Sequence, residues 1–386
     1  MIKTLKVRLY PSEGQKILLE KHFGSCRFVW NHFLEVRNKY YVEHKKRLTG
    51  FDTIKMLTIL KKDMTWLKET NSQSLQHSLV KLDMAFKSFF KHNTGYPKFR
   101  SKRDNQYFII PSAFRVFGNR LIIPKFVEGI EYRDSSAVPE NIKQIVVTRD
   151  VDRYYASIQY EIDEDMVVTG KDTIGIDMGI KAFLTASDGL QVEPLNALRK
   201  AEKKLKREQR RLSRKERGAR NRKKQIVKVQ KVHQKIRDAR TDFNHKVSTA
   251  IAKHYGTVVV EDLDIHGMQR NHHLAKSITD QGWYQFKTML TYKMEWRKAS
   301  LIQIGRYEPS SKLCSKCGNI KHDLKLSDRI YHCDSCGLEI DRDLNAAINI
   351  RNIGMIKVGK GIPEFTPVES ATAAELSKGG LRVATL

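Results

Sequence analysis

A chain of 386 residues with 40% apolar content can build two or three domains, each with its own core. It has no run near the roughly 18 apolar residues of a membrane span, and its first residues lack a signal-peptide core. That argues against a membrane-spanning or exported protein. Lys and Arg number 71 against 43 acids, a net charge of +28, which points to a polyanionic partner and steeply salt-dependent binding. A membrane surface or an acidic protein could also attract such charge, but aromatic residues interleaved with the bases favour nucleic acid.

In chain order, residues 1–10 alternate like a strand, and Ser12 and Gln15 have the spacing of a capping box. Residues 16–41 continue as a helix, with an interruption expected near Gly24. Further helices are expected over about 51–60 and 72–90. The last carries Leu75, Leu79, Leu82 and Phe86 on its apolar stripe, with Gln73, Gln76 and Lys81 on its other side. Glutamine can read adenine edges, although on a helix it is more often simply solvated. The stretch 95–103, with Lys98 and Arg100 among aromatics, suits phosphates and stacked bases, and reads equally well as a basic loop. Two hairpins follow, 114–123 and 145–162. The first strand joins them, so a sheet is interrupted by a helical bundle from about 12 to 100.

A second unit opens near 168. The apolar strand 173–177 ends on Asp177, and 257–260 leads to Glu261. Between them, 199–240 holds 20 Lys/Arg against 4 acids. Leu205, Leu212, Ala219 and Ile226 recur at sevens, with Val229 and Ile236 flanking, and a break at 218–221 suggests an antiparallel helical hairpin. Its bases, among them Arg210, Arg211, Arg214, Arg220 and Arg222, exceed what a solvated surface needs and favour polyanion contact. Residues 264–280 read as a mobile loop, 283–298 as a core helix, 301–304 as a strand, and 354–386 as a disordered tail.

Four of the five cysteines form Cys314-x-x-Cys317 and Cys333-x-x-Cys336, with 15 residues between the pairs. Such knuckles can close a four-thiolate zinc site that leaves no position for substrate. Metal-type pairs also indicate a reducing cytoplasm, and Cys26 reads as a buried small hydrophobe. Just beyond lies Asp341-Arg342-Asp343, a carboxylate at a helix start. Two acid-tipped strands and an acid on a helix are the layout of a two-metal nuclease, in which Mg²⁺ ions about 3.5–4 Å apart clamp a phosphodiester.

These pieces, in this order, resemble the TnpB family, the OrfB-type proteins of bacterial insertion sequences and compact relatives of type V CRISPR nucleases. The resemblance covers roughly residues 1–365. It rests on the opening RLYPSEGQKILLEKHFGSCRFVWNHFL, on GYPKFRSK, GIDMGIKAFLTASDG and VVVEDLDI, and on the SKLCSKCG…CDSCGLEIDRDLNAAINI ending.

The resemblance implies an α/β fold with all-β and helical parts. An RNase H-like RuvC nuclease domain, 168–310 and 341–353, carries the basic hairpin 197–253 and an inserted zinc ribbon, 311–340. A wedge-type β-barrel, 1–11 and 101–167, is interrupted by a helical recognition domain, 12–100. The family's acids fall on Asp177, Glu261 and Asp343, with Asp343 rather than Asp341 as the third. They would bind two Mg²⁺ (or Mn²⁺), and one structural Zn²⁺ would sit on the cysteines. Arg342 offers a phosphate contact or a pairing with Asp341.

The implied partners are a guide RNA from the transposon end and double-stranded target DNA beside a short flanking motif, met by a chain expected to be monomeric. Base pairing carries the sequence information in such a scheme, while the protein reads shape and charge. A guide-dependent repressor without cleavage, a miniature CRISPR effector and a strand-joining transposase are the rival readings. The intact acids weigh against the first, and the chain shows no assignable recombinase Tyr or Ser motif for the last.

Overall fold

The computed structural model describes residues 1–92, 94–133, 141–162, 170, 172–325, 327–359 and 371–385. They divide into two compact units, Met1–Asp163 and Glu164–Leu386.

In the first unit, strand β1 (Ile2–Tyr10) leads into helices α1 (Glu13–His44), α2 (Gly50–Asp63) and α3 (Ser72–His92). Strands β2 (Gln106–Ile110), β3 (Arg115–Phe117), β4 (Arg120–Ile123), β5 (Phe126–Arg133), β6 (Ile142–Asp150) and β7 (Arg153–Glu161) follow. All seven strands form one antiparallel sheet, ordered β2-β6-β7-β1-β5-β4-β3. The first strand thus pairs with strands more than a hundred residues later, with the helices inserted between. Inward residues of the sheet (Val7, Leu9, Phe108, Val147, Ile158) meet the apolar stripe of α1 (Leu19, Phe23, Trp30) and of α3 (Leu75, Leu79, Leu82).

The Ser12–Gln15 capping box is present, each side chain bonded to the other residue's amide. The expected interruption at Gly24 is absent, and α1 runs unbroken for 32 residues. A helical glycine costs about 1 kcal/mol, far less than the buried stripe on either side of Gly24 returns.

In the second unit, β8 (Thr173–Asp177), β9 (Leu184–Ala186) and β10 (Leu190–Val192) precede helices α4 (Ala197–Ser213) and α5 (Arg220–His254). Next come β11 (Thr257–Val260), α6 (Ile265–Gln269), α7 (His272–Gln281), α8 (Trp283–Trp296) and β12 (Ser300–Gln303). The hairpin β13 (Ile330–His332) and β14 (Glu339–Asp341) leads to α9 (Arg342–Lys357), α10 (Ala371–Lys378) and β15 (Val383–Thr385). The main sheet runs β12-β11-β8-β9-β10-β15, parallel across its first three strands and antiparallel across the rest.

Both faces of the parallel strands are covered, which is why β11 is buried at every residue. Ile174, Ile176, Val258 and Val260 point one way, into a core with Phe243, Val247 and Ile251 of α5 and Phe286 and Leu290 of α8. Val259 points the other way, against Ile350 of α9. Lys293 pins α8 to α5: its buried ammonium donates to His245 O (2.9 Å) and to the hydroxyls of Ser248 and Thr249 (both 2.7 Å).

Three expectations for this unit are corrected. The helical hairpin forms, but its seam is Ala201 and Leu205 against Val229, Val232 and Ile236, while Ile226 is 36% exposed. A sevenfold register counted straight through 214–219 fails because the chain reverses there. The segment 264–280 is two helices rather than a loop. Asp264 accepts from the Gly267 amide (3.0 Å) and Asn271 from the His273 amide (3.1 Å), so polar residues that suggested a loop act as N-caps.

The tail is not wholly disordered either. Part of that expectation, 360–370, lies outside the described residues, but α9 extends to Lys357, α10 buries Leu376, and β15 pairs with β10. An edge strand with unpaired amides gains a partner that the weak local pattern of the tail does not announce.

Candidate active site and cysteine cluster

Residues alternate across a strand, so Asp177 lies on the same face of the sheet as Gly175, and Glu261 on the same face as Val259. Strands β8 and β11 pair in parallel with Ile176 opposite Val260, which sets Asp177, the last residue of β8, beside Glu261, the first residue after β11. Helix α9 lies on that face and lies close. A β-carbon added to Gly175 would stand 2.2 Å from Ala347 O, and one on Gly354 would stand 2.3 Å from Val259 Cγ1. Asp343 is one helical turn before Ala347, so this close approach carries it toward Asp177.

The electrostatics record the same convergence. The Asp177 carboxyl is pushed up to about 8, first by burial and then by the charges of Glu261 and Asp343, with Arg342 opposing. Burial also raises Glu261, against a hydrogen bond from Ser310 that favours its charged form. All three acids are half-buried, so solvent and cations can reach them. No hydrogen bond among the described residues engages the carboxylates of Asp177 or Asp343. Asp341 differs: its Oδ1 accepts from the Asp343 (2.9 Å) and Leu344 (3.1 Å) amides and caps α9. A cluster of three acids that raises its own proton affinity is the donor set a hard divalent cation fits.

The four cysteine sulfurs lie within 4.8 Å of one another, the closest pairs 3.6 Å apart. Four thiolates at about 2.3 Å from one zinc would stand about 3.8 Å apart, so the cluster fits a closed tetrahedral site. The two knuckles repeat one geometry. The Gly318 amide donates to Cys314 O and the Gly337 amide to Cys333 O, both at 3.0 Å, and each glycine has a positive φ (75° and 69°).

Two buried asparagines on α9, Asn345 and Asn349, fasten the cysteine ribbon to that helix. Asn345 donates to Leu313 O (2.7 Å) and accepts from the Ser315 amide (3.0 Å), and Asn349 donates to Ser310 O (2.7 Å) and Leu313 O (2.6 Å). Ser310, held by Asn349, donates its hydroxyl to the Glu261 carboxylate. These residues were not singled out from the sequence. Asn345 and Asn349 at i and i+4 in a helix of apolar residues carry a readable signal, whereas the contact of Ser310 with Glu261 spans 49 residues and carries none.

Ser310→Ala is expected to lower the activity of this site about 10- to 100-fold without unfolding the ribbon, since a partner that orients a metal-binding carboxylate has effects of that size. Unchanged kinetics across divalent-metal concentrations would show that Glu261 needs no such support.

The residues anticipated as nucleic-acid contacts are placed unequally. Gln73 accepts from the Ser112 hydroxyl (3.0 Å), Gln76 and Lys98 are exposed, and Lys81 is half-buried. Arg100 is held in place: its guanidinium lies 3.4 Å from the Trp30 ring centroid and donates to Tyr107 Oη (2.8 Å). Arg210, Arg211, Arg214 and Arg220 are exposed on the hairpin, Arg222 is half-buried, and Arg211 reaches Glu208 (3.1 Å). Arg342 donates to Lys325 O (3.1 Å) and Asp328 O (3.3 Å), so its guanidinium is engaged by the ribbon, and Asp341 is engaged as a cap. Cys26 is buried, its thiol pushed up to about 12 by burial, as expected for a small core residue.

Comparison with known proteins agrees with these elements. The OrfB_IS605 family profile, described as a probable transposase, matches residues 157–272. A Cas12f1-like TNB domain matches 283–350, from the start of α8 into α9, and an OrfB helix-turn-helix profile matches 1–46, where the chain forms β1 and the whole of the single helix α1, which ends at His44. A "Putative RNA-guided DNA endonuclease" of Streptomyces pristinaespiralis is 35% identical over 92% of this chain and 89% of its own. The "Putative RNA-guided DNA endonuclease InsQ" of Escherichia coli K12 is 32% identical over 92% of both chains. The mimivirus "TnpB-like protein L79" is 23% identical over 92% of this chain and 74% of its own. Identity at the level of the first two, over nearly the whole of each chain, makes this protein a member of the OrfB_IS605 family, the group of TnpB-like RNA-guided DNA endonuclease homologues.

Proposed function

We propose that the protein is an RNA-guided, divalent-metal-dependent DNA endonuclease, directed by RNA from the transposon end to DNA beside a short flanking motif. The observation that carries this reading is the convergence of Asp177, Glu261 and Asp343 at the carboxyl ends of parallel strands, in a chain whose relatives bear that activity in their names. In this reading 168–310 with 341–353 is a RuvC-type domain, 311–340 its zinc ribbon, 1–11 with 101–167 a wedge-type barrel, and 12–100 a recognition domain.

Two Mg²⁺ or Mn²⁺ ions, when bound, supply the Lewis acidity that activates water and stabilises the leaving oxygen. Asp177, Glu261 and Asp343 would provide their oxygen ligands, and Ser310 orients Glu261 through its hydroxyl. The bases exposed on the α4–α5 hairpin neutralise phosphates, and Cys314, Cys317, Cys333 and Cys336 would hold a structural zinc that closes the ribbon next to Ser310. No described helix is long and apolar enough to cross a membrane.

The test uses protein co-expressed with its flanking transposon-end RNA and a plasmid library with one guide-matched target and randomised neighbouring bases. Cuts that require the guide, a divalent cation and one flanking motif are the expected result. Guide-dependent binding without cuts would replace this reading with that of a repressor.

A further inference from the structure

Where α1 and α3 end, the first unit holds a cavity of about 840 Å³ that the acid site does not involve. Five rings line it: Tyr41, Phe86, Phe89, Phe90 and Tyr96. Four of them form an edge-to-face set. The Phe86 and Phe89 centroids lie 5.6 and 5.2 Å from that of Tyr96, with planes near perpendicular, Phe90 packs edge-on to Phe89 (5.1 Å), and the Tyr96 hydroxyl is tied to Asn38 Oδ1. Two of the five rings stand out to solvent, Phe90 at 71% and Tyr41 at 57% exposure. The rim carries Lys45, Arg47, Lys87 and Lys91. Asp83 is the one acid in the lining, and it is already matched by Arg37 (3.0 Å) and Lys87 (2.9 Å).

A wall of packed rings beneath a rim on which Lys45, Arg47 and Lys91 outnumber the one acid suits a flat apolar body attached to an anionic backbone. We propose that this cavity receives an unpaired, splayed-out nucleotide of an RNA, its base against Phe90 and Tyr41 and its phosphates on the rim lysines. RNA is the occupant favoured here because its loops and single-stranded ends present unstacked bases, which proteins take up on aromatic side chains. Bases of a double-stranded DNA target are unpaired only after a guide has opened the duplex, whereas an RNA presents them from the start. The inference rests on the nucleic-acid reading above but does not depend on cleavage.

The experiment uses the full chain and a short single-stranded RNA carrying one 2-aminopurine, compared with the same RNA abasic at that position. A DNA strand of the same sequence is run in parallel. Binding is expected to quench the 2-aminopurine. Phe90→Ala is expected to remove the quenching and weaken that RNA about 5- to 100-fold, in line with the stacking of one base, and Phe90→Trp to restore both. The abasic RNA should bind wild type and Phe90→Ala alike.

Equal losses for both RNAs, or no loss at all, would overturn the pocket while leaving nucleic-acid binding intact. Quenching of the DNA strand alone would overturn the RNA assignment. A concentration-dependent sedimentation change abolished by Phe90→Ala, without an effect on quenching, would assign the cavity to contact between copies of the chain. Failure of wild type to bind even the abasic RNA would instead fail the nucleic-acid reading itself. Phe90 is mostly solvent-exposed, so its replacement leaves folding intact.

Discussion

Alanine at Asp177, Glu261 or Asp343 is expected to reduce guided cleavage by about 10³-fold or more while leaving guide-RNA affinity nearly unchanged. The acids sit at the ends of β8 and β11 and in the first turn of α9, away from the basic α4–α5 hairpin in sequence, so their loss should remove the proposed metal ligands and not the phosphate contacts. Residual cleavage near the wild-type rate in any one of the three would sink its assignment. Asp177 also makes a prediction about pH. Its carboxyl titrates near 8 in the folded, metal-free protein, far above its ordinary 3.8. Between those values the native state holds a proton that the unfolded chain has released, so stability falls as pH rises through the window.

Asp177→Asn cannot suffer that loss. Without divalent cations its thermal midpoint should therefore exceed that of wild type by more at the upper end of the window than at the lower. Added Mg²⁺ should raise the wild-type midpoint near pH 8 and leave Asp177→Asn nearly unmoved. Equal gains for both proteins would mean that the cation binds elsewhere. Because Asp177 keeps some solvent contact, the effect should be smaller than for a sealed carboxylate.

Cys333→Ser should be nearly as damaging to activity, although no cysteine sulfur takes part in the proposed chemistry. Structural zinc contributes on the order of 10–16 kcal/mol to small zinc-dependent folds, and the ribbon has little other core: chiefly Tyr331, Leu324, Leu338 and Ile340 around the cysteines. Losing the metal should release 311–340, and with it the loop whose Ser310 and Leu313 carbonyls Asn349 grips. Glu261 then loses the Ser310 hydroxyl. Zinc content, hydrogen exchange over 311–340 and cleavage should fall together, while exchange in β8 and β11 stays slow. A variant that loses zinc and ribbon protection yet cuts normally would show that the ribbon does not act through Ser310.

Much of this site can be read along the chain because its signals are local. Paired CxxC knuckles declare four thiolates, an apolar strand ending on an acid declares Asp177 and Glu261, and Ser12 with Gln15 declares the start of α1. Local polarity misleads where its role is structural. Asp264 and Asn271 cap helices in a stretch that reads as a loop, and Gly24 passes through a helix whose buried stripe outweighs its cost.

The sequence by itself determined most of the strands, the cysteine set, the basic hairpin and the family, since each depends on neighbours a few residues away or on ordered motifs. Only the tertiary structure decided which acids meet. Gly175 and Gly354 let α9 settle onto β8 and β11, Asp341 turns to capping, and Ser310 reaches Glu261. The pairing of β15 with β10 and the aromatic cavity at the ends of α1 and α3 belong with these. Each is a contact between segments far apart in the chain, where a missing β-carbon or one shared hydrogen bond fixes the geometry, and no periodicity along the backbone encodes it.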